Sequence, residues 1–283
     1  MIRDSLGDLN YWCERVAKDT AWIENANMLL SGPSKNPEYD PQFTLDISRD
    51  ILRLMLRRYS LGDQPSELSQ LFPGLLDAWE LSNRLSDEIC AKHNLKTCRD
   101  WVFDLSDLNH YIWCFWVAGL ALLLKIPDDL WQRLLVLVGE EGRDVLLDRV
   151  IASRQPERVI GAELLHVKPY ARLLKAIDAP EQQQAALLRE FVEYWYPELN
   201  RRGKQQPWWY LYGDPEKHPL EMGSYFGRWC IEAAVSAKVF GLDDSQCLGH
   251  ENYPGDLLRP DGPSTHKPRP EIKKRKWFGL FGS

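Results

Sequence analysis

The sequence has no pair of cysteines at the spacing of a metal site or a redox motif. Its six cysteines are spread over 283 residues without a CxxC. Cys13, Cys114 and Cys230 fall on the apolar faces of helical patterns. The N-terminal stretch MIRDSLGDLN lacks the basic start and apolar centre of a secretory signal peptide. We therefore expect free, buried thiols in a reducing cytoplasm and no disulfide framework.

The sequence also lacks an apolar run long enough to cross a bilayer and any segment typical of a β-strand. Its longest run, YIWCFWVAGLALLL, extends from Tyr111 to Leu124 and ends at Lys125, whereas a membrane-spanning helix needs about 20 apolar residues. No stretch alternates convincingly between apolar and polar residues. Apolar residues instead recur at steps of three and four. These patterns predict an all-α fold of two packed helical subdomains with no significant sheet.

Motifs for catalysis are absent as well. The sequence contains no phosphate-binding GxxxxGK[ST] loop, no GxGxxG fingerprint, no zinc-binding HExxH helix and no GxSxG nucleophile turn. Its six histidines are scattered, and no two of them stand four residues apart. We therefore predict that the protein is not an enzyme and has no catalytic residue, no bound metal and no cofactor.

Positive charge is scarce in the body of the chain and concentrated at its end. The sequence has a formal net charge of −6, yet residues 261–283 carry six Lys or Arg against two Asp or Glu. The first 260 residues therefore have a net charge of −10. An acidic body repels nucleic acid and attracts a basic partner, although solubility alone would explain the same charge. We predict a protein partner and no direct binding of nucleic acid.

Prolines and glycines divide the helical pattern into segments. Leu6, Leu9, Cys13, Val16, Thr20 and Ile23 are spaced as the inner face of a first helix, which ends near residues 31–42. Thr97, followed three residues later by Asp100, resembles a capping box and is expected to begin the helix that carries the apolar run. Later helices are expected over residues 130–152, 157–177 and 181–201.

A short internal similarity suggests how the chain divides into domains. The acidic pair Asp128–Asp129 follows an apolar helix, and so does the pair Asp243–Asp244, which is expected to cap the next turn. We expect an N-terminal helical domain over residues 1–130 and a C-terminal helical domain over residues 131–260. Residues 261–283 are expected to form a flexible tail rich in basic and aromatic residues.

The stretch YFGRWCIEAAVSAKVFGLDD, residues 225–244, is typical of a helix with a defined end. Pro219 is expected to begin this helix and Gly241 to end it, since glycine accepts left-handed backbone dihedrals. Arg228 and Glu232 stand four residues apart, which is the spacing of a helical ion pair. A catalytic role for this pair is the alternative, but a buried pair would order the core rather than catalyse.

Residues 208–259 resemble the C-terminal domain of PoNi-type immunity proteins. The family's recurring elements are an aromatic cluster before a histidine, a Tyr-Phe-Gly-x-Trp helix, a Lys-x-Phe-Gly-hydrophobic-Asp-Asp ending and a Tyr-Pro-x-Asp-Leu close. In this sequence they fall on Trp208, Trp209, Tyr210 and His218, on Tyr225, Phe226, Gly227 and Trp229, on Lys238, Phe240, Gly241, Leu242, Asp243 and Asp244, and on Tyr253, Pro254, Asp256 and Leu257. The first 130 residues are similar to the family's N-terminal domain only in length and helical texture.

The resemblance implies an antitoxin. Such proteins bind and neutralise a cognate PoNe-type DNase toxin of a bacterial polymorphic toxin system, often one delivered by type VI secretion. An acidic helical body would block the cationic DNA-binding or active-site surface of such a toxin. The resemblance further implies that the motif residues, together with Arg228 and Glu232, maintain the fold, and that a different, partner-specific surface contacts the toxin.

Two acidic stripes are the candidates for that surface. One consists of Asp100, Asp104 and Asp107, at steps of four and three. The other consists of Glu140, Glu141, Asp144 and Asp148, interrupted by Arg143. Solvated helix faces would produce the same pattern, so the stripes are hypotheses about toxin binding.

The C-terminal tail joins four consecutive cations to aromatic side chains. The residues concerned are Lys273, Lys274, Arg275, Lys276, Trp277 and Phe278. A disordered terminus is the simplest interpretation, and weak docking to an anionic membrane, to a partner's groove or back onto the acidic body are the alternatives. The tail also leaves a second function open, that of an adaptor or chaperone that escorts a secreted effector.

Overall fold

The computed structural model describes residues 1–99, 103–139 and 141–267. Within these ranges the chain consists of α-helices joined by loops and short 3-10 turns, and it contains no β-strand, which confirms the all-α fold class. The α-helices are α1 (Leu9–Leu30), α2 (Asp40–Leu61), α3 (Pro65–Leu68), α4 (Phe72–His93), α5 (Leu108–Leu123), α6 (Asp128–Val138), α7 (Val145–Ala152), α8 (Val167–Asp178), α9 (Glu181–Glu198) and α10 (Ile231–Phe240).

The hydrophobic core extends through both halves of the chain. Helix α2 packs against α1 and α4, α4 also contacts α6, and α8 packs against α9. Helices α5 and α10 pack against each other so closely that a Cβ on Gly119 would lie 2.9 Å from Ile231 Cγ2. Buried residues from both sides of position 130 belong to one hydrophobic cluster. The division into two domains at residue 130 stays a prediction.

Helix α1 buries only the second part of the face that the sequence pattern predicted, since Ile23 is buried and Val16 packs against the core. The helix begins at Leu9, after the cap residue Asp8, and Leu9 and Cys13 are both exposed. Its buried residues include Trp12 instead, whose indole N–H donates to the Asp4 carbonyl at 3.0 Å. The contact with Asp4 turns Trp12 rather than Cys13 towards the core at the start of α1. The prediction of a buried Cys13 was wrong.

The helix that carries the apolar run begins later than the capping-box pattern predicted. Helix α5 starts at Leu108, where the Asp107 carboxylate accepts a hydrogen bond from the Asn109 backbone N–H at 2.8 Å. Thr97 lies ten residues upstream, and its hydroxyl accepts the Arg99 N–H in a local turn. Asp107 is the N-cap, because a carboxylate at that position satisfies the free N–H groups of the first turn.

Three segments that were predicted to be helical are loops. Residues 157–166 belong to the loop that connects α7 to α8, and residues 141–144 precede α7 without a helix. The segment between Gly223 and Cys230 is also non-helical, so that α10 begins at Ile231 rather than at Pro219. The predicted end at Gly241 is confirmed, since this residue caps α10 in the left-handed conformation with φ 67°.

The predicted tail is anchored to the folded body at its beginning. Asp256 accepts hydrogen bonds from Arg3 Nε at 2.6 Å, from Ser264 Oγ at 2.8 Å and from the Thr265 N–H at 2.6 Å. His266 is buried, with its Nε2 3.0 Å from the Tyr59 hydroxyl. Residues 264–266 therefore differ from the expected flexible tail, because hydrogen bonds to the buried side chains of Asp256 and Tyr59 hold them against the folded body. Lys273, Lys274, Arg275, Lys276, Trp277 and Phe278 lie outside the described residues.

Candidate partner-binding surface

Glu232 is the polar centre of the buried interface around α10. Its carboxylate is fully buried and accepts hydrogen bonds from Tyr170 OH at 2.8 Å, Trp195 Nε1 at 3.2 Å and Trp116 Nε1 at 3.2 Å. Burial raises the pKa of Glu232 to about 7. These donors come from α5, α8 and α9, so the carboxylate joins three helices to α10.

Arg228 does not pair with Glu232, and the predicted helical ion pair was wrong. Arg228 lies before α10, outside the helix in which the i,i+4 spacing would have meaning. Its guanidinium donates to the Tyr212 carbonyl at 2.9 Å and covers the Tyr196 ring at 4.5 Å. Arg228 also lines two surface clefts, of ≈ 540 Å³ and ≈ 650 Å³, and Glu232 lines neither. The buried carboxylate and the arginine therefore do not form one site.

The Tyr-Phe-Gly-x-Trp residues make internal contacts. Tyr225 OH donates to Asp4 Oδ2 at 2.6 Å, and Trp229 Nε1 donates to Ser60 Oγ at 2.9 Å. The Phe226 ring packs among four aromatic side chains. Gly227 has φ 101°, and a Cβ there would lie 2.4 Å from Trp229 Nε1. These contacts connect the segment before α10 to α2 and to the N-terminal residues.

The acidic pair after α10 is divided between two structural roles. Asp243 caps the next turn by accepting the Ser245 N–H at 2.9 Å. Asp244 is buried and accepts hydrogen bonds from Tyr253 OH at 2.7 Å and Arg259 Nη2 at 2.5 Å. The Pro254 carbonyl accepts the Leu257 N–H at 3.1 Å in the following 3-10 turn. The prediction of a turn cap therefore holds for Asp243, whereas Asp244 joins the end of α10 to the C-terminal segment.

Asp144 is a buried helix cap and does not form part of an exposed acidic stripe. It is 1% exposed, and its Oδ1 accepts the N–H groups of Leu146 and Leu147 at the start of α7. The same oxygen accepts Tyr111 OH at 2.9 Å, and Oδ2 accepts the Leu165 N–H at 2.8 Å. Asp144 therefore fixes α5 and the 163–166 segment to the start of α7.

Asp148, also predicted as a stripe residue, is a second buried carboxylate at 1% exposure. Its Oδ1 accepts Arg158 Nε at 2.6 Å, and its Oδ2 accepts the N–H groups of Gly142, Asp144 and Gly161 at 3.0, 3.2 and 3.0 Å. Arg158 in turn donates to the Gly139 carbonyl. This arrangement satisfies the backbone of two loops that have no helical hydrogen bonds of their own.

Asp104 and Asp107 are exposed, as a partner-binding role requires. The backbone N–H and hydroxyl of Ser106 donate to Asp104 at 2.8 and 2.7 Å, and these hydrogen bonds lower the pKa of Asp104. The nearby Arg143 guanidinium lowers that pKa further. Of the seven predicted stripe residues, Asp104, Asp107 and Glu141 are exposed, whereas Asp144 and Asp148 are buried. Asp100 and Glu140 lie outside the described residues.

Three loops combine into one outer surface. The 103–107 loop contacts the 163–166 segment, with His166 Nε2 2.8 Å from the Leu105 carbonyl oxygen. The Gly142 N–H donates to the Val159 carbonyl at 3.0 Å, and the Val145 N–H donates to the Glu163 carbonyl at 2.8 Å. We define the loop surface by these exposed residues of the loops and of the adjoining start of α8: Asp104, Asp107, Glu141, Arg143, Val159, Ile160, Glu163 and Val167.

The apolar residues of the loop surface were not predicted from the sequence. Val167 is 64% exposed, and Val159 and Ile160 are also exposed. The sequence pattern predicts a helix over residues 157–177, kinked or split at Pro169, whereas residues 157–166 form a loop. The stretch RVIGAE, residues 158–163, could have indicated a loop, because two apolar residues precede Gly161 and no helix-capping residue stands before them. Exposed apolar residues next to carboxylates are typical of protein interfaces.

The described residues do not suggest a metal site or a membrane span. No group of three or more His, Cys, Asp or Glu side chains in residues 1–99, 103–139 and 141–267 is arranged to hold a metal ion. In the same part of the chain, no helix combines the length and apolarity that a bilayer crossing requires.

The described residues form an all-α protein that exposes both apolar residues and carboxylates on its loops. Two family profiles cover nearly the whole chain. The profile described as "PoNe immunity protein (PoNi), N-terminal" matches residues 3–136, and the profile described as "PoNe immunity proteins (PoNi), C-terminal" matches residues 142–257. The chain belongs to the family of PoNe immunity proteins, and its family partner is a PoNe nuclease toxin.

One solved structure shares the fold over almost its full length. The structure titled "The Crystal Structure of Protein PA2201 from Pseudomonas aeruginosa" matches with a TM-score of 0.68 and 16% sequence identity. The match covers 92% of this chain and 91% of the other. The comparison with curated proteins produced no match.

Proposed function

We propose that the protein neutralises a cognate DNase toxin by covering the toxin's cationic DNA-binding or active-site surface with the loop surface. The toxin would be a type VI secretion effector, and the immunity protein would act in the cytoplasm by binding alone, without turnover. One observation carries the proposal. In a chain of this family, exposed carboxylates and apolar residues lie on loops whose backbone is held by the buried carboxylates of Asp144 and Asp148.

Charge supports this assignment. A nuclease needs cationic surface to hold the DNA phosphates, and an acidic partner is attracted to that surface before contact. Asp104, Asp107, Glu141 and Glu163 provide four exposed carboxylates on the loop surface, against the exposed guanidinium of Arg143. The same charge would disfavour direct binding of DNA to the immunity protein, which leaves the toxin as the partner.

The apolar residues and the rigidity of the loops support it as well. Val159 and Ile160 would supply apolar area that loses contact with water on binding, which stabilises a complex more than exposed ion pairs do. Asp144 and Asp148 already hold the loop backbone in place, so little ordering entropy would be lost on association.

Charge reversal on the loop surface tests the proposal. The triple variant Asp104→Lys, Glu141→Lys, Glu163→Lys should lower the association rate with the purified toxin at least about 10-fold at low ionic strength, because electrostatic steering is lost and like charges meet. Stopped-flow or biolayer measurements at two salt concentrations give the rate. The difference from the unmodified protein should shrink at high salt.

A matched control separates the surface from net charge. Glu24→Lys, Glu88→Lys, Glu216→Lys changes the net charge equally at exposed positions on α1, on α4 and in the loop near residue 216. This control should bind at a nearly unchanged rate. An equal loss in both triple variants, or a loss in neither, would show that the toxin binds elsewhere.

The alternative function, an adaptor or chaperone for a secreted effector, makes a different prediction. An inhibitor abolishes the nuclease activity of the purified toxin at equal stoichiometry, whereas an escort leaves the nuclease active.

The proposed route of delivery is tested separately, since cells that lack this protein should survive attack by a strain without a type VI apparatus. Liposome flotation with and without residues 268–283 tests membrane docking by the tail.

A further inference from the structure

Cys90 and Cys98 are brought together where α4 ends. Cys90 lies in the last turn of this helix, and Asn94 follows in the left-handed conformation with φ 53°. The Leu95 N–H then donates back to the Cys90 carbonyl at 3.0 Å. The chain therefore reverses direction within two residues and returns Cys98 to the side of α4.

The two thiols are in direct contact. Their Sγ atoms are 3.2 Å apart, and Cys98 Sγ is also 3.4 Å from Ser86 Oγ on the preceding turn of α4. A disulfide bond is about 2.05 Å long, so the sulfur atoms need to approach by only about 1 Å. Arg99 Nη1 donates to Asn83 Oδ1 at 2.7 Å, which holds the returning segment beside the helix.

The other cysteines do not offer such a pair. Cys114, Cys230 and Cys247 are buried, whereas Cys13 is exposed on α1. Cys90 and Cys98 are both half-buried, so that a small oxidant can reach them. Cys98 contacts the Ser86 hydroxyl, and among the described residues no group of three metal-binding side chains includes the two thiols.

We propose that Cys90 and Cys98 are a site of reversible oxidation, at which a glutathione-type disulfide converts the two thiols into an intramolecular disulfide. One thiolate attacks a glutathione disulfide, forms a mixed disulfide and releases one glutathione thiol. The second thiolate then attacks the protein sulfur of the mixed disulfide and releases the second glutathione thiol. The protein loses two electrons and two protons in total, and the glutathione disulfide is reduced to two thiols.

Oxidation would close a short loop from the end of α4 to the segment that leads towards the loop surface. Such a cross-link restricts the unfolded chain more than the folded one, because the sulfur atoms are already in contact in the folded protein. We expect a melting temperature about 5 °C higher in the oxidised form. Burial raises the pKa of Cys98, so the exchange should be faster at pH 9 than at pH 7.

The experiment uses the full chain with Cys13→Ser, which removes the exposed thiol that could link two molecules. Incubation with excess glutathione disulfide should yield a monomer lighter by two hydrogen atoms, and peptide mapping should find Cys90 joined to Cys98. Dithiothreitol should restore the starting mass and the lower melting temperature.

Two further variants keep the test decisive. Cys13→Ser with Cys98→Ser, and Cys13→Ser with Cys90→Ser, should gain glutathione as a stable mixed disulfide, because the second thiol is missing. The proposal is overturned if the parent protein also accumulates the mixed disulfide, if it stays fully reduced in excess oxidant, or if the cross-link joins another pair of cysteines.

Discussion

Replacement of Asp148 by alanine should lower the free energy of unfolding by about 3–5 kcal/mol. The change leaves the Arg158 guanidinium, which is 4% exposed, buried without its carboxylate. It also removes the acceptor of three backbone N–H groups, those of Gly142, Asp144 and Gly161. Urea denaturation monitored by tryptophan fluorescence measures the loss, and the same variant should bind the toxin more weakly because the loops are less ordered.

The matched control for this prediction is Glu141→Ala, an exposed residue on the loop whose Gly142 N–H donates to Asp148. It removes one carboxylate without a buried partner and should leave the stability nearly unchanged. The double variant Asp148→Leu, Arg158→Met removes both charges together and should recover part of the loss, since no unpaired charge remains. A loss of less than about 1 kcal/mol for Asp148→Ala would show that the ion pair does not hold the loops.

The features of the fold that could be predicted are those that residues close together in the sequence determine. The periodicity of apolar residues is a local property, and it identified the helical class. Gly241 ends α10 as predicted, because a left-handed cap depends on one residue and its own dihedrals. The apolar run from Tyr111 to Leu124 is a buried helix for the same reason, since its composition already excludes a solvated face.

The errors occurred where a distant group decides the local structure. Asp144 and Asp148 are four residues apart, which in a sequence is equally typical of a solvated helix face and of a buried cap followed by a buried ion pair. Whether the two carboxylates are exposed or buried depends on Arg158 and on the N–H groups of residues 161 and 165. No local sequence pattern connects these groups to α7. The same carboxylates make it possible for residues 153–166 to remain a loop.

The start of α10 shows the same dependence on distant contacts. Arg228 and Glu232 have the spacing of a helical pair, but the Asn252 carbonyl accepts the Cys230 N–H at 2.8 Å and Arg57 donates to the Tyr225 carbonyl. These partners are supplied by residues far away in the sequence, and they allow the chain to stay non-helical up to Cys230. The candidate surface could be predicted only in part for the same reason, because Val159 and Ile160 lie on a loop that the sequence pattern assigns to a helix.

The second large effect concerns Glu232 and the pH dependence of stability. Burial raises the pKa of this carboxyl to about 7 in the folded protein, above the reference value of 4.5. As the pH rises between these values, the unfolded chain loses its proton before the folded protein does. The folded state is therefore penalised increasingly, by a total of about 3 kcal/mol once the pH is above 7. Glu232→Gln cannot titrate and should be free of this penalty.

The measured quantity is the stability of Glu232→Gln relative to the unmodified protein, at pH 5 and again at pH 8. We expect it to change by about 2–3 kcal/mol in favour of the variant between the two. The glutamine amide would face the Trp116 N–H, donor against donor, which costs about 1–3 kcal/mol at either pH and cancels in the comparison. Burial lowers the pKa of His110, His166 and His250, and these groups stabilise the folded state as the pH rises, equally in both proteins. A change below about 1 kcal/mol would mean that Glu232 is ionised throughout this range, held so by its three side-chain donors.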